Sequence, residues 1–74
     1  MEPNGQVLFL TRRLAAEAIR AQGIPSTPNT LAYLAHQGRG PAYSIISNRA
    51  VYLRSDIERW ILRQAAQTRV GDAA

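Results

Sequence analysis

Five hydrogen-bonding side chains, Asn29, Thr30, Tyr33, His36 and Gln37, fall within one short stretch of this sequence. In the same stretch Leu31, Leu34 and Ala35 make one narrow apolar face of a helix. Asn29, Thr30, Tyr33 and Gln37 then take the opposite face, with His36 at its flank. Side chains of this kind can read base edges in a major groove. Asn and Gln pair bidentately with adenine, and Thr meets a thymine methyl. Tyr33 either reaches a phosphate or sugar from that face or turns its ring to the interior. His36 either donates to a phosphate or complements the helix dipole, and Thr30 either faces the groove or satisfies the helix N-terminus.

The charged residues extend this chemistry. The chain has nine arginines, no lysine and five carboxylates, a formal net charge of +4. That balance points to polyanions, nucleic acid first and an anionic membrane surface second. A GC-rich coding bias would also replace lysine with arginine, so the distribution carries more than the count. No carboxylate lies between Glu17 and Asp56, a stretch holding Arg20, Arg39, Arg49 and Arg54. Arg12, Arg13, Arg39 and Arg54 are placed at phosphates, with Thr27 beside them. Asn48 and Arg49 are placed at the tip of a wing, where a narrow minor groove attracts an inserted arginine. Arg54 either takes a phosphate or, with Arg59 and Arg63, solvates the last helix.

Positioning these groups requires elements, and the punctuation of the chain supplies them. Residues 1–6 read as a loose lead-in, followed by the apolar run Val7 to Leu10. Thr11 is a helix N-cap, Leu14, Ala15, Ala18 and Ile19 follow at helical spacing, and Gly23 stops the first helix. Thr27-Pro28 opens the second, and Gly38 ends it. Residues 42–46 and 50–53 read as a β-hairpin around Ser47-Asn48-Arg49, with Tyr43 and Tyr52 as cross-strand partners. Ser55-Asp56-Ile57-Glu58 reads as a capping box with Ser55 as N-cap. Ile57, Trp60, Ile61, Gln64 and Ala65 then form the stripe of a third helix ending near Gln67, with Trp60 in the core. Residues 70–74 read as a frayed tail. The expected domain is a single unit over 7–69, mainly α with a β-hairpin wing, in the order α-α-β-β-α. This is a winged helix-turn-helix layout whose second helix is the reader.

Several pieces resemble one family: Leu10-Thr11, Ala15-Ala16-Glu17, Pro28-x-Thr30-Leu31, Gly38-Arg39-Gly40-Pro41-x-Tyr43, Arg49-x-Val51-Tyr52 and Ser55-Asp56-Ile57-x-x-Trp60. From Phe9 to Leu62 the chain is similar to the small MerR-like, AlpA-type excisionases, the recombination directionality factors of mobile elements. The resemblance implies a winged helix-turn-helix protein that binds double-stranded DNA cooperatively near attachment sites. Such a protein bends the DNA and promotes excision by a tyrosine- or serine-type integrase, working in the cytoplasm at the nucleoid of a bacterium or phage. The chain departs from the family in a longer first helix and in a reading helix without arginine or lysine. Ile45 and Ser47 stand where lysine and glycine are common.

Other classes fit less well. Cysteine is absent and histidine single, which removes disulfides, thiolate metal sites and histidine clusters. No nucleophile–base–orienter set stands out, so neither an enzyme nor a cofactor is expected. No apolar run has the length of a membrane helix, and the start does not resemble a signal peptide. A hydrophobic fraction of 46% argues against a disordered basic tail. Two rivals stay open: a promoter-binding regulator of the same fold, and a basic protein-interaction module. The apolar ends, Val7 to Leu10 and Val70, are the expected surfaces for contact between copies.

Overall fold

Thr11 closes a strand and opens a helix. In the structure, a computed structural model that describes residues 9–71, strand β1 (Phe9–Thr11) runs directly into helix α1 (Arg12–Ala21). The Thr11 hydroxyl accepts the Leu14 N–H at 3.3 Å, satisfying one of the donors a helix start leaves unpaired. Gln22 caps the other end, and Gly23 takes φ +89°, a region costly for any residue with a Cβ. Helix α2 (Pro28–His36) starts as expected, with the Thr27 hydroxyl accepting the Thr30 N–H at 3.1 Å.

Strands β2 (Ser44–Ile46) and β3 (Arg49–Leu53) form the hairpin, and helix α3 (Arg54–Gln67) follows without a linker. Ser47 and Asn48 join the strands at φ +53° and +64°. Positive φ at both central residues belongs to the tight turn that matches strand twist. The turn is therefore two residues long, and Arg49 is not part of it. Arg49 is the first residue of β3, paired with Ile46.

Two further expectations are corrected. The apolar run before Thr11 was not expected to pair, yet Phe9, Leu10 and Thr11 align with Leu53, Tyr52 and Val51. The order is thus β-α-α-β-β-α, with a three-stranded antiparallel sheet ordered β1-β3-β2. The capping box at Ser55 is also absent. Leu53 pairs with Phe9 and occupies the N-cap position, making no side-chain cap bond. Ser55 consequently lies inside the first turn, where its hydroxyl cannot cap.

The core joins one face of the sheet to all three helices. Leu10, Ala15, Ala16, Ile19, Leu31, Tyr52 and Ile57 are buried together, with Ile24, Ala50, Trp60 and Ile61 packed against them. Alanines at 15 and 16 let α1 approach its neighbours closely, and α1 touches α2, α3, β1 and β3. Leu10, expected at a contact surface between copies, is instead a core residue, while Phe9 is exposed on the other sheet face. Val7 and Leu8 lie outside the described residues, as do the lead-in 1–6 and residues 72–74. The turn between α1 and α2 is held from above: the Arg20 Nη1 donates to the carbonyl of buried Ser26 at 2.6 Å. Among the described residues no helix is long and apolar enough to cross a membrane.

Candidate nucleic-acid interface

Leu31 is the one fully buried residue of α2, with Ala32, Leu34 and Ala35 half-buried beside it. The opposite face is open. Asn29, Thr30, Tyr33, His36 and Gln37 are all exposed. Tyr33 is 59% exposed, which decides its open placement in favour of the outer face. The Thr27 and Thr30 hydroxyls lie 2.9 Å apart and hydrogen-bond each other, so both serve the helix start.

The end of this face is ordered by a chain of side chains. Gln37 Nε2 donates to the Tyr33 hydroxyl at 3.0 Å, and Arg39 Nη1 donates to Gln37 Oε1 at 2.6 Å. The Arg39 backbone is fixed as well. Its N–H donates to the Leu34 carbonyl at 2.9 Å, and its carbonyl accepts the Trp60 indole N–H at 2.9 Å. Gly38 takes φ +69° to begin this fold-back. Gly40 passes so close to α2 that a Cβ there would meet Leu34 Cβ at 3.2 Å. Trp60, expected as core alone, is half-buried and also the hydrogen-bond donor that holds the loop. Sequence reasoning missed this link, although the Gly-Arg-Gly punctuation marked the loop.

A second group forms where α1 begins. Thr11, Arg12, Arg13, Arg49 and Ala50 line one open concavity. Arg12 is half-buried, with its guanidinium 5.5 Å from the Tyr43 ring centroid and its Nε donating to the Tyr52 hydroxyl at 3.1 Å. Tyr43, expected within the strand, lies just before β2, and its ring meets that of Tyr52 at 5.6 Å with the planes tilted by 39°. The tyrosine pair thus grips the Nε edge and one face of Arg12, and among the described residues neither Nη group has a hydrogen-bond or ion-pair partner. Arg13 shares a 3.3 Å exposed ion pair with Glu17, a contact of little strength in water. Arg49 makes no side-chain hydrogen bond or ion pair among the described residues.

Two other expected contacts, Arg54 and Asn48, do not line this concavity. Arg54 is exposed at the first position of α3, and Asn48 is exposed in the hairpin turn. Arg59 is paired with Asp56 at 3.0 Å. Among the described residues no three His, Asp or Glu side chains come together at metal-binding distance. No protein-family model matches the chain, and neither does any curated protein or solved structure.

Proposed function

We propose that this chain is a winged helix-turn-helix protein that binds double-stranded DNA, with α2 as the reading helix and the β2–β3 hairpin as the wing. The observation that carries the reading is the convergence of Arg12, Arg13 and Arg49 on one concavity, in a chain with no carboxylate between Glu17 and Asp56. A phosphate backbone is the ligand such a surface suits. The polar face of α2 supports the same reading. It offers the Asn29 amide, hydroxyls and an imidazole to base edges, and its N-terminal turn holds no acidic residue to repel phosphate.

The likeness to the excisionase family, which rests on the residues of this chain, directs the reading further. Copies bind cooperatively beside an attachment site and bend it, so that an integrase assembles its excisive complex. Bending costs on the order of several kcal/mol, which contacts along the DNA and between copies offset. Footprinting on attachment-site DNA, with and without integrase, tests this. The expected result is a row of protected sites in one orientation. A single protected operator over a promoter would make the chain a transcription regulator instead. No protection on any duplex would leave the DNA reading without foundation and favour a protein-interaction module.

A further inference from the structure

Arg39 is an exposed residue in a loop, yet the structure fixes it at three points. Its N–H is bonded to Leu34, its carbonyl to Trp60 and its guanidinium to Gln37. Gln37 is itself oriented, because its Nε2 is bonded to the Tyr33 hydroxyl. We propose that Arg39 is the specificity-determining residue of the interface, reading a guanine edge with Gln37 and Trp60 as positioning residues. This rests on the DNA-binding reading above.

A phosphate clamp tolerates a mobile side chain, since a charge near an anion attracts it from many angles. Bidentate reading of guanine O6 and N7 requires a planar fork held in one orientation. Holding a free arginine in that orientation costs rotamer entropy. Here much of that ordering is present before DNA arrives. Nη1 is committed to Gln37, which leaves Nε and Nη2, the parallel N–H pair along the other edge, for the base. Among the described residues no carboxylate pairs with Arg39, so no competing acceptor of that kind must be displaced. Gln37, whose type suggests adenine reading, has its amide oxygen and one N–H engaged within the protein. Its role is to aim the arginine.

The test is selection of bound duplexes from a randomised library by the full chain and by Arg39→Ala, Gln37→Ala and Trp60→Phe, with salt titration of each. The wild-type site should contain a G·C pair that Arg39→Ala no longer prefers, with discrimination there falling roughly 5- to 150-fold. The salt dependence should stay unchanged. Trp60→Phe removes the N–H donor and keeps a smaller aromatic side chain in its place. It should blur the same base pair and leave the others as they are, as should Gln37→Ala. Gln37 is exposed, so its variant folds even if the Trp60 variant does not. If Arg39→Ala leaves the preferred sequence intact and flattens the salt slope by about 0.9, Arg39 is a phosphate clamp and the proposal fails. A preferred site with no G·C pair also overturns it. A wild-type chain that selects no sequence and binds no duplex defeats the DNA-binding reading itself.

Discussion

Arg49→Ala is the perturbation that separates a DNA-binding surface from a merely basic one. Arg49 makes no side-chain hydrogen bond or ion pair among the described residues, so its truncation should leave the thermal midpoint unchanged. Its place beside Arg12 and Arg13 gives the expected magnitude. Three phosphate contacts correspond to a slope of about −2.7 for log affinity against log salt. Between about 50 and about 200 mM salt that slope alone weakens binding about 40-fold. Removing Arg49 should bring the slope to about −1.8, and the loss over the same interval to about 12-fold. Contacts from Arg54 and elsewhere steepen both slopes equally and leave the difference of about 0.9 intact. Fluorescence anisotropy of a labelled duplex, titrated at four or more salt concentrations, measures both. If Arg49→Ala binds with wild-type affinity and slope, the three-arginine concavity is not where the backbone sits, and the assignment of the wing falls with it.

Five further substitutions check the local arguments. Glu17→Gln frees Arg13 and should tighten duplex binding in the same titration, at a cost to stability of only about 0.3–0.5 kcal/mol for an exposed helical pair. Thr27→Ala should cost about 1 kcal/mol in urea denaturation, whereas Ser55→Ala should lie within about 0.5 kcal/mol of wild type because Ser55 caps nothing. Leu31→Ala removes the one fully buried side chain of α2 and should cost about 2–5 kcal/mol, seen as a drop in denaturation midpoint and loss of binding together. Arg20→Met leaves the buried Ser26 carbonyl without its charged donor and should cost about 1–3 kcal/mol. A wild-type midpoint there would mean that water replaces the bond.

What the sequence made legible are the features decided locally. Thr27-Pro28 and the two glycines at 23 and 38 act through their own backbone preferences, and the helices begin and end where those preferences put them. β1 was not legible because three residues carry no period of their own. Their extended form is fixed by pairing with β3, more than forty residues on in the register Phe9 with Leu53. The same pairing defeats the capping signal at Ser55. A strand residue that must bond to Phe9 is followed at once by helix, and the cap position falls on Leu53 whatever the local pattern favours. The candidate site divides in the same way. The exposed residues of α2 follow from helical periodicity, while the fixing of Arg39 depends on Trp60, 21 residues away, and has no local signature.

The arginines of α1 sit against the electrostatics of their own helix. Arg12 and Arg13 occupy its first two positions, where the macrodipole disfavours a cation by about 0.3–1 kcal/mol. The first turn of α1 contains no acidic residue, whereas α3, which also begins on an arginine, Arg54, balances it with Asp56 in the same turn. Coding bias toward arginine accounts for arginine in place of lysine, but not for cations at a helix start. Nor does it account for a third cation beside them. That third charge arrives through the sheet: Thr11 pairs with Val51, which sets the beginning of α1 next to Ala50 and Arg49. The strand that periodicity did not reveal is therefore what assembles the cluster. Without an anion, the dipole and the mutual repulsion of the three arginines both oppose the arrangement. The tyrosine grip on Arg12 and the exposed pair to Glu17 offset only part of this. A bound phosphate is attracted by all three arginines and by the helix N-terminus together, which offsets their mutual repulsion, and local conflict of this sort is characteristic of a functional surface.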